Sequence, residues 1–159
     1  MGREYGFRTR AVHVGNEIDK ETGAIKRPIT MANSYELPYD PSSLNWSDAG
    51  SNLYTRNGGA NQKYLQERLA SLEGGEDAIV LASGVSALSA LFFAVLDSGD
   101  HVVFSDITYI ATYRLLKELL NRKYGVETTM VDSSDPKNIR RAIRPNTKLV
   151  HIETRAIPP

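Results

Sequence analysis

The sequence contains no cysteine in its 159 residues. Without cysteine there can be no disulfide framework and no thiolate metal site, and a reducing, cytoplasmic location is the default expectation. No apolar run reaches the roughly 18 residues of a membrane span. The charged N-terminal stretch is not followed by the apolar core of a signal peptide. We therefore expect neither secretion nor membrane insertion.

The sequence also lacks an excess of charge of either sign, because 19 Lys and Arg residues balance 19 Asp and Glu residues. No basic stripe predicts binding to nucleic acid or to an anionic membrane. The three histidines, His13, His101 and His151, lie far apart and show no spacing typical of metal ligands. Packed or hydrogen-bonded histidines are expected instead, and the predicted partners are small molecules or protein.

Common catalytic and nucleotide-binding motifs are missing as well. There is no G-x-G-x-x-G after a strand and no G-x-x-x-x-G-K-[ST], which argues against dinucleotide and P-loop sites. Gly84 and Ser86 supply the first half of a G-x-S-x-G nucleophile elbow, but Leu88 stands where its second glycine belongs. A hydrolase of that type is therefore not predicted.

The first part of the chain, residues 1–53, is irregular, because glycine and proline interrupt every short apolar run. It predicts a mostly extended arm. From Asn61 the pattern changes: Leu65, Leu69 and Leu72 recur at helical spacing. Asn61 is a possible N-cap, and the glycines within residues 73–76 supply a stop. One amphipathic helix is predicted here.

Short apolar runs then alternate with helical patterns. The runs predict strands at residues 77–82, 101–105, 126–131 and 148–153. Helical spacing follows from Val85 and again around Leu115, where Gly125 ends the pattern, and a short helix is capped by Asp135 with Pro136 in its first turn. This order predicts right-handed βαβ units and an α/β fold with a mostly parallel sheet covered by helices on both faces.

The turn containing Ser83, Gly84, Val85 and Ser86 separates the first predicted strand from its helix. Ligands of such sheets gather at the carboxyl ends of strands, where a helix N-terminus offers unpaired N–H groups. Glycine has no Cβ to keep an anion from the backbone, so the amides of Gly84 and Val85 can hold a phosphate. The alternative is that Gly84 only allows close packing between strand and helix.

Several segments, in this order and spacing, resemble the pyridoxal-phosphate (PLP) enzymes of cysteine and methionine metabolism, which include cystathionine synthases and lyases, methionine γ-lyase and O-acetylhomoserine sulfhydrylase. The resemblance implies a fold-type I PLP-dependent transferase domain. It rests on TRAVHVG and ETGAIKRPI in the arm, YTR at 54–56, LQERLASLEGGE at 65–76, ASGVSAL at 82–88, SGDHVV at 98–103, TYIATYRLL at 108–116 and VHIET at 150–154.

The resemblance also implies roles for individual residues. Gly84 and Val85 match the segment whose backbone amides bind the cofactor phosphate. Tyr109 matches a tyrosine that stacks on the pyridine ring and handles a proton, which suits a side chain with an apolar face and an exchangeable hydroxyl. Tyr54 and Arg56 match a segment that reaches the phosphate of the neighbouring subunit, and the planar arginine fork suits phosphate oxygens. A homo-oligomer with a shared site is implied.

Some positions depart from the family pattern. Gly59, Ala60 and Asn61 stand where the family has N-P-T. Arg155 replaces a proline, and Ile157 replaces an asparagine that contacts the cofactor. The family's later aspartate and its Schiff-base lysine have no counterpart, and lysines such as Lys117, Lys123, Lys137 and Lys148 do not match that position.

The sequence thus predicts an arm making oligomer contacts over residues 1–53 and the first half of a PLP-binding α/β domain over residues 54–159. The implied reaction is elimination at the β- or γ-carbon, or γ-replacement, on sulfur-containing or activated homoserine amino acids, with lyase and synthase both open. These residues alone are expected to be inactive without the lysine. The alternative is a catalytically silent module that binds PLP or phosphate or serves assembly.

Overall fold

The structure, a computed structural model, describes residues 5–45 and 53–154. It divides into two compact units, with the boundary between Val80 and Leu81. Within the described ranges, no helix combines the length and apolar character needed to span a membrane.

The first unit joins the arm to one long helix. Its elements are α1 (Phe7–His13), a 3-10 turn at Pro41–Ser43 and α2 (Ala60–Glu73). The arm does not remain mostly extended at its start, because α1 packs against α2. Arg68 Nε donates to the carbonyl of Val14 at 2.9 Å, and the Arg10 guanidinium donates to the carbonyl of Ser71. These contacts between distant residues stabilise a helix that the local pattern does not predict.

The ends of α2 partly match the sequence prediction. Gly74, in the left-handed conformation at φ 71°, ends the helix as expected. The prediction that Asn61 is the N-cap is wrong, because Gly59 occupies that position. The Asn61 side chain instead accepts from the N–H of Thr30 at 3.1 Å and donates to its carbonyl at 3.0 Å. Its polar groups thus fasten the arm rather than cap the helix.

The second unit contains a three-stranded parallel sheet in the order β2-β1-β3. Three of the four predicted strands are confirmed to within two residues at each end. They are β1 (His101–Ser105), β2 (Glu127–Val131) and β3 (Thr147–His151). All five residues of the central strand β1 are buried. The parallel order places the carboxyl ends of all three strands at one edge, where sites of α/β sheets form.

The strand predicted at residues 77–82 is wrong for this structure. That segment is irregular, and the side chain of Ile79 is 79% exposed. A strand exists only when a neighbouring strand accepts its backbone hydrogen bonds. Among the described residues β1 already has β2 and β3 on its two sides, and nothing pairs with this segment.

A helix precedes β1, and helices connect β1 to β2 and β2 to β3 as predicted. They are α3 (Gly84–Val95), α4 (Ile110–Tyr113), which continues as a π-helical segment (Arg114–Asn121) and α5 (Arg122–Tyr124), and α6 (Pro136–Ala142). Asp135 caps α6 by accepting from the N–H of Lys137 at 2.9 Å, which confirms the predicted cap. The core between sheet and helices is formed by Phe92, Leu96, Val102, Phe104, Leu115, Leu116, Leu120 and Val126.

Candidate functional site

The start of α3 forms an open backbone cradle. Ser83 is the N-cap: its Oγ accepts from the N–H of Ser86 at 3.1 Å, and its own N–H donates to Ser86 Oγ at 3.0 Å. This capping box leaves the N–H groups of Gly84 and Val85 without an acceptor among the described residues. Two unpaired donors at the positive end of a twelve-residue helix are suited to an anion.

The space beside Gly84 is also free. A Cβ built on Gly84 meets no described atom within 4 Å, so the chain's own packing does not require glycine here. This observation weakens the interpretation that Gly84 serves close strand-to-helix packing. The unpaired donors and the open backbone are suited to a phosphate group, the ligand that the resemblance implies for Gly84 and Val85.

Tyr109 follows the carboxyl end of β1 by four residues. It is the N-cap of α4, and the residue is 51% exposed. Helices α3 and α4 contact each other within the second unit. The structure therefore places Gly84, Val85 and Tyr109 in one compact unit, with the tyrosine ring accessible to a ligand.

A carboxylate that the sequence analysis did not single out holds the backbone of Tyr109. Glu153 Oε2 accepts from the N–H of Tyr109 at 2.8 Å. Glu153 Oε1 accepts from Thr108 Oγ1 at 2.6 Å and from Thr112 Oγ1 at 3.0 Å, and it lies 3.2 Å from His151 Nε2. These donors come from α4, the residues just before it and the end of β3.

Glu153 stays ionised in this setting. Burial by itself raises the pKa of this carboxyl group, but the hydrogen bonds from Thr108, Tyr109, His151 and Thr112 outweigh it and lower the pKa to about 2. Only its position in the sequence could have pointed to Glu153 as a site residue. It follows β3 at the carboxyl edge of the sheet, where the residues after β1 also lie.

Tyr54 and Arg56 belong to the first unit. The guanidinium carbon of Arg56 lies 4.9 Å from the centroid of the Tyr54 ring, a cation–π arrangement. Tyr54 also forms an isolated antiparallel bridge with Ser34. Arg56 is exposed, and its guanidinium contacts the face of the Tyr54 ring. The N–H groups of the guanidinium are therefore accessible to a ligand. The pair predicted from the YTR segment is thus assembled within one unit.

Other predicted positions have simpler outcomes. Arg155 and Ile157 lie outside the described residues. The amine of Lys117 lies 3.5 Å from the carbonyl of Thr128. Among the described residues, no group of three or more histidine and acidic side chains is arranged to hold a metal ion.

Comparison with protein families gives a match over residues 8–159 to the family described as Cys/Met metabolism PLP-dependent enzyme. A canavanine γ-lyase of Rhizobium leguminosarum bv. trifolii is 57% identical over 152 residues, which are 96% of this chain and 38% of that protein. An L-methionine γ-lyase of Porphyromonas gingivalis is 38% identical over 157 residues, again 96% of this chain and 38% of that protein.

Solved structures resemble the chain as well. The crystal structure of metB from Corynebacterium glutamicum matches with a TM-score of 0.81 and 35% identity, over 92% of this chain and 36% of that one. A cystathionine γ-lyase from Lactobacillus plantarum, complexed with L-serine, matches with a TM-score of 0.81 and 29% identity, over 94% of this chain and 37% of that one. The chain thus spans a little over a third of the length of these proteins.

Proposed function

The chain belongs to the Cys/Met metabolism PLP-dependent enzyme family, and on that premise we propose that it contributes the phosphate-binding part of a PLP site. The proposal rests chiefly on the start of α3, where the N–H groups of Gly84 and Val85 have no acceptor among the described residues and the backbone is open. The enzyme it serves eliminates a group at the β- or γ-carbon of an amino acid, or replaces one at the γ-carbon.

Each residue has a separate task in this proposal. The amides of Gly84 and Val85 bind the phosphate, and the ring of Tyr109 covers the cofactor ring while its hydroxyl exchanges a proton. Tyr54 and Arg56 of one subunit reach the phosphate site of a neighbouring subunit, so the enzyme is a homo-oligomer. When bound to a substrate amine, PLP withdraws electrons from the α-carbon and makes its proton removable.

Elimination from an amino acid with a leaving group on the γ-carbon is the reaction we propose to test first. Two relatives named canavanine γ-lyase are 57% and 53% identical to this chain, whereas a relative named probable cystathionine γ-synthase is 36% identical. These identities favour a lyase and make canavanine the first substrate to test. The cytoplasm remains the predicted location.

These 159 residues are proposed to bind the cofactor without turning substrate over by themselves. No lysine among them matches the position at which the family attaches PLP, and Lys117, for example, has its amine beside a backbone carbonyl. The catalytically silent module remains the second candidate.

A PLP titration, followed by absorbance, tests the site. We expect wild type to bind and Gly84→Val to weaken binding about tenfold, because a branched side chain blocks the approach of the phosphate. Ala90→Val is the matched control, because it also introduces valine into α3, at an exposed position away from the start of the helix. Equal affinity of wild type and Gly84→Val would contradict the site.

Consumption of canavanine, methionine and cystathionine, measured by chromatography on the protein that carries this chain, separates the two candidate functions. PLP binding with consumption of at least one amino acid supports the enzyme. PLP binding with no consumption supports the silent module. Absence of PLP binding by wild type contradicts the enzyme and the cofactor-binding form of the silent module.

A further inference from the structure

We propose, on the basis of the PLP site above, that Glu153 is a positioning residue: it fixes the backbone of Tyr109 so that the exposed ring is held at the cofactor. Nothing in the sequence motifs assigns Glu153 this role. The proposal concerns how Tyr109 is placed, and it does not require Glu153 to touch the cofactor.

The geometry concentrates several donors on one carboxylate. Thr108, Tyr109 and Thr112 span a single turn at the start of α4, and all three donate to Glu153. Thr112 is fully buried, so its hydroxyl depends on this partner. The sequence separations are 45, 44 and 41 residues, so the contacts fasten the start of α4 to the end of β3.

The carboxylate is itself supported by the core. His151 Nε2 lies 3.2 Å from Glu153 Oε1, and the His151 ring meets the Phe92 ring edge-on at 5.5 Å between centroids. Phe92 is fully buried in α3. Glu153 is thus linked to both helices that carry the proposed site residues, and a rigid support of this kind sets the position of the groups it holds.

Tyr109 combines a fixed backbone with an accessible side chain. Its N–H is bound at 2.8 Å while the residue is half exposed. A tyrosine ring moves about only two side-chain torsions, so fixing the backbone removes much of the uncertainty in where the ring lies. Releasing the N–H should therefore disturb ring stacking before it disturbs the fold.

Two substitutions at Glu153 test its hydrogen bonds to the start of α4. Glu153→Met keeps the length of the side chain but removes both acceptors. Glu153→Gln keeps one oxygen, which can still accept from the N–H of Tyr109 while the hydroxyls of Thr108 and Thr112 turn to accept from its amide. We therefore expect partial rescue by glutamine.

The experiment is a PLP titration of the protein that carries this chain, read by absorbance and by the induced circular dichroism of bound PLP. Glu153→Met should weaken PLP binding about tenfold and reduce the induced signal, and Glu153→Gln should lie between it and wild type. Glu127→Met is the control, because this exposed glutamate pairs with Arg144 at the start of β2 and should leave PLP binding unchanged.

A double-mutant cycle with Tyr109→Ala tests whether Glu153 affects PLP binding through Tyr109. If Glu153 acts through Tyr109, Glu153→Met adds almost nothing in the Tyr109→Ala background. An equal loss in both backgrounds would mean that Glu153 only joins β3 to α4, and it would overturn the inference. Should Glu153→Met fail to fold, Thr108→Val removes the shortest of these hydrogen bonds and enters the same cycle. Failure of wild type to bind PLP would instead overturn the cofactor site.

Discussion

At the scale of single residues, His101 shows how one side chain joins three strands. It is fully buried at the start of β1, with Nδ1 2.7 Å from Thr147 Oγ1 of β3 and Nε2 2.8 Å from Thr129 Oγ1 of β2. Burial lowers the pKa of His101, the charge of Arg144 lowers it further, and Glu127 opposes them. The folded protein therefore holds this histidine neutral near pH 7.

This burial predicts a loss of stability in mild acid. Between the lowered folded pKa and the ordinary value of 6.5, the unfolded chain binds a proton that the folded chain does not. The contribution of His101 to the free energy of unfolding is thus constant above that window and falls as the pH drops through it. His101→Gln, which can hydrogen-bond but does not titrate, should lose less stability between pH 7.5 and pH 5 in urea denaturation.

The wild-type and variant curves share every other titrating group, including Glu153, so their difference isolates His101. Parallel pH dependence in the two proteins would contradict the prediction.

The sequence predicted His101 as a packed, hydrogen-bonded residue, and the structure confirms it. It also placed Tyr109 just after a strand, and β1 ends four residues before it, whereas the strand predicted before Gly84 does not form. It missed Glu153, because a carboxylate after a strand gains its role from donors more than 40 residues away. Such long-range partners leave no local spacing to recognise.

At the scale of elements, Gly15 permits the close approach of the arm to α2. Its φ is +71°, and a Cβ there would lie 2.5 Å from the carbonyl oxygen of Tyr64. Tyr64 Oη accepts a hydrogen bond from Arg27 Nη1 at 2.7 Å. The guanidinium carbon of Arg27 also lies 4.3 Å from the centroid of the Tyr64 ring. The arm thus also contacts α2 around Tyr64.

Gly15→Ala should therefore destabilise the docked arm more than Gly23→Ala. Both glycines have φ +71°, so each alanine costs about 1 kcal/mol in backbone strain. Only Gly15 adds a clash with backbone, of about 1 to 3 kcal/mol, since no atom lies within 4 Å of the Gly23 position. Urea denaturation, combined with the rate of tryptic cleavage in α1, measures the difference. Equal losses in the two variants would contradict it.

The elements themselves were largely predictable. Helical spacing, the Asp135 cap and the Gly74 and Gly125 stops locate the helices that follow α1, and all three strands of the sheet were predicted. Two errors share a cause. The short helix α1 forms because α2 holds it, and residues 77–82 form no strand because no described strand pairs with them. In both places a distant partner, rather than the local pattern, decides the structure.

At the scale of the whole molecule, the residues assigned to the cofactor fall in two compact units. Tyr54 and Arg56 lie in the first, and Gly84, Val85 and Tyr109 lie in the second. The proposed oligomer uses the first pair from one subunit and the remaining residues from another. The division into an arm over residues 1–53 and a cofactor domain over residues 54–159 also stays a prediction.

A shared site predicts complementation between two defective subunits. Arg56→Ala and Gly84→Val should each bind PLP weakly when alone. In a mixed dimer one site combines Gly84 of the first subunit with Arg56 of the second, so random mixing restores about a quarter of the sites. The stoichiometry of tight PLP binding after co-expression measures this fraction. No recovery in the mixture would mean that each site is built within one subunit.

The most direct test of the account is whether the amides of Gly84 and Val85 bind the cofactor phosphate. Their backbone resonances can be followed by NMR in the isotope-labelled protein during titration with PLP and with pyridoxal, which lacks the phosphate. The account predicts large downfield shifts of both amide protons with PLP and small shifts with pyridoxal. Unchanged resonances, or equal shifts with the two compounds, would show that the phosphate is held elsewhere.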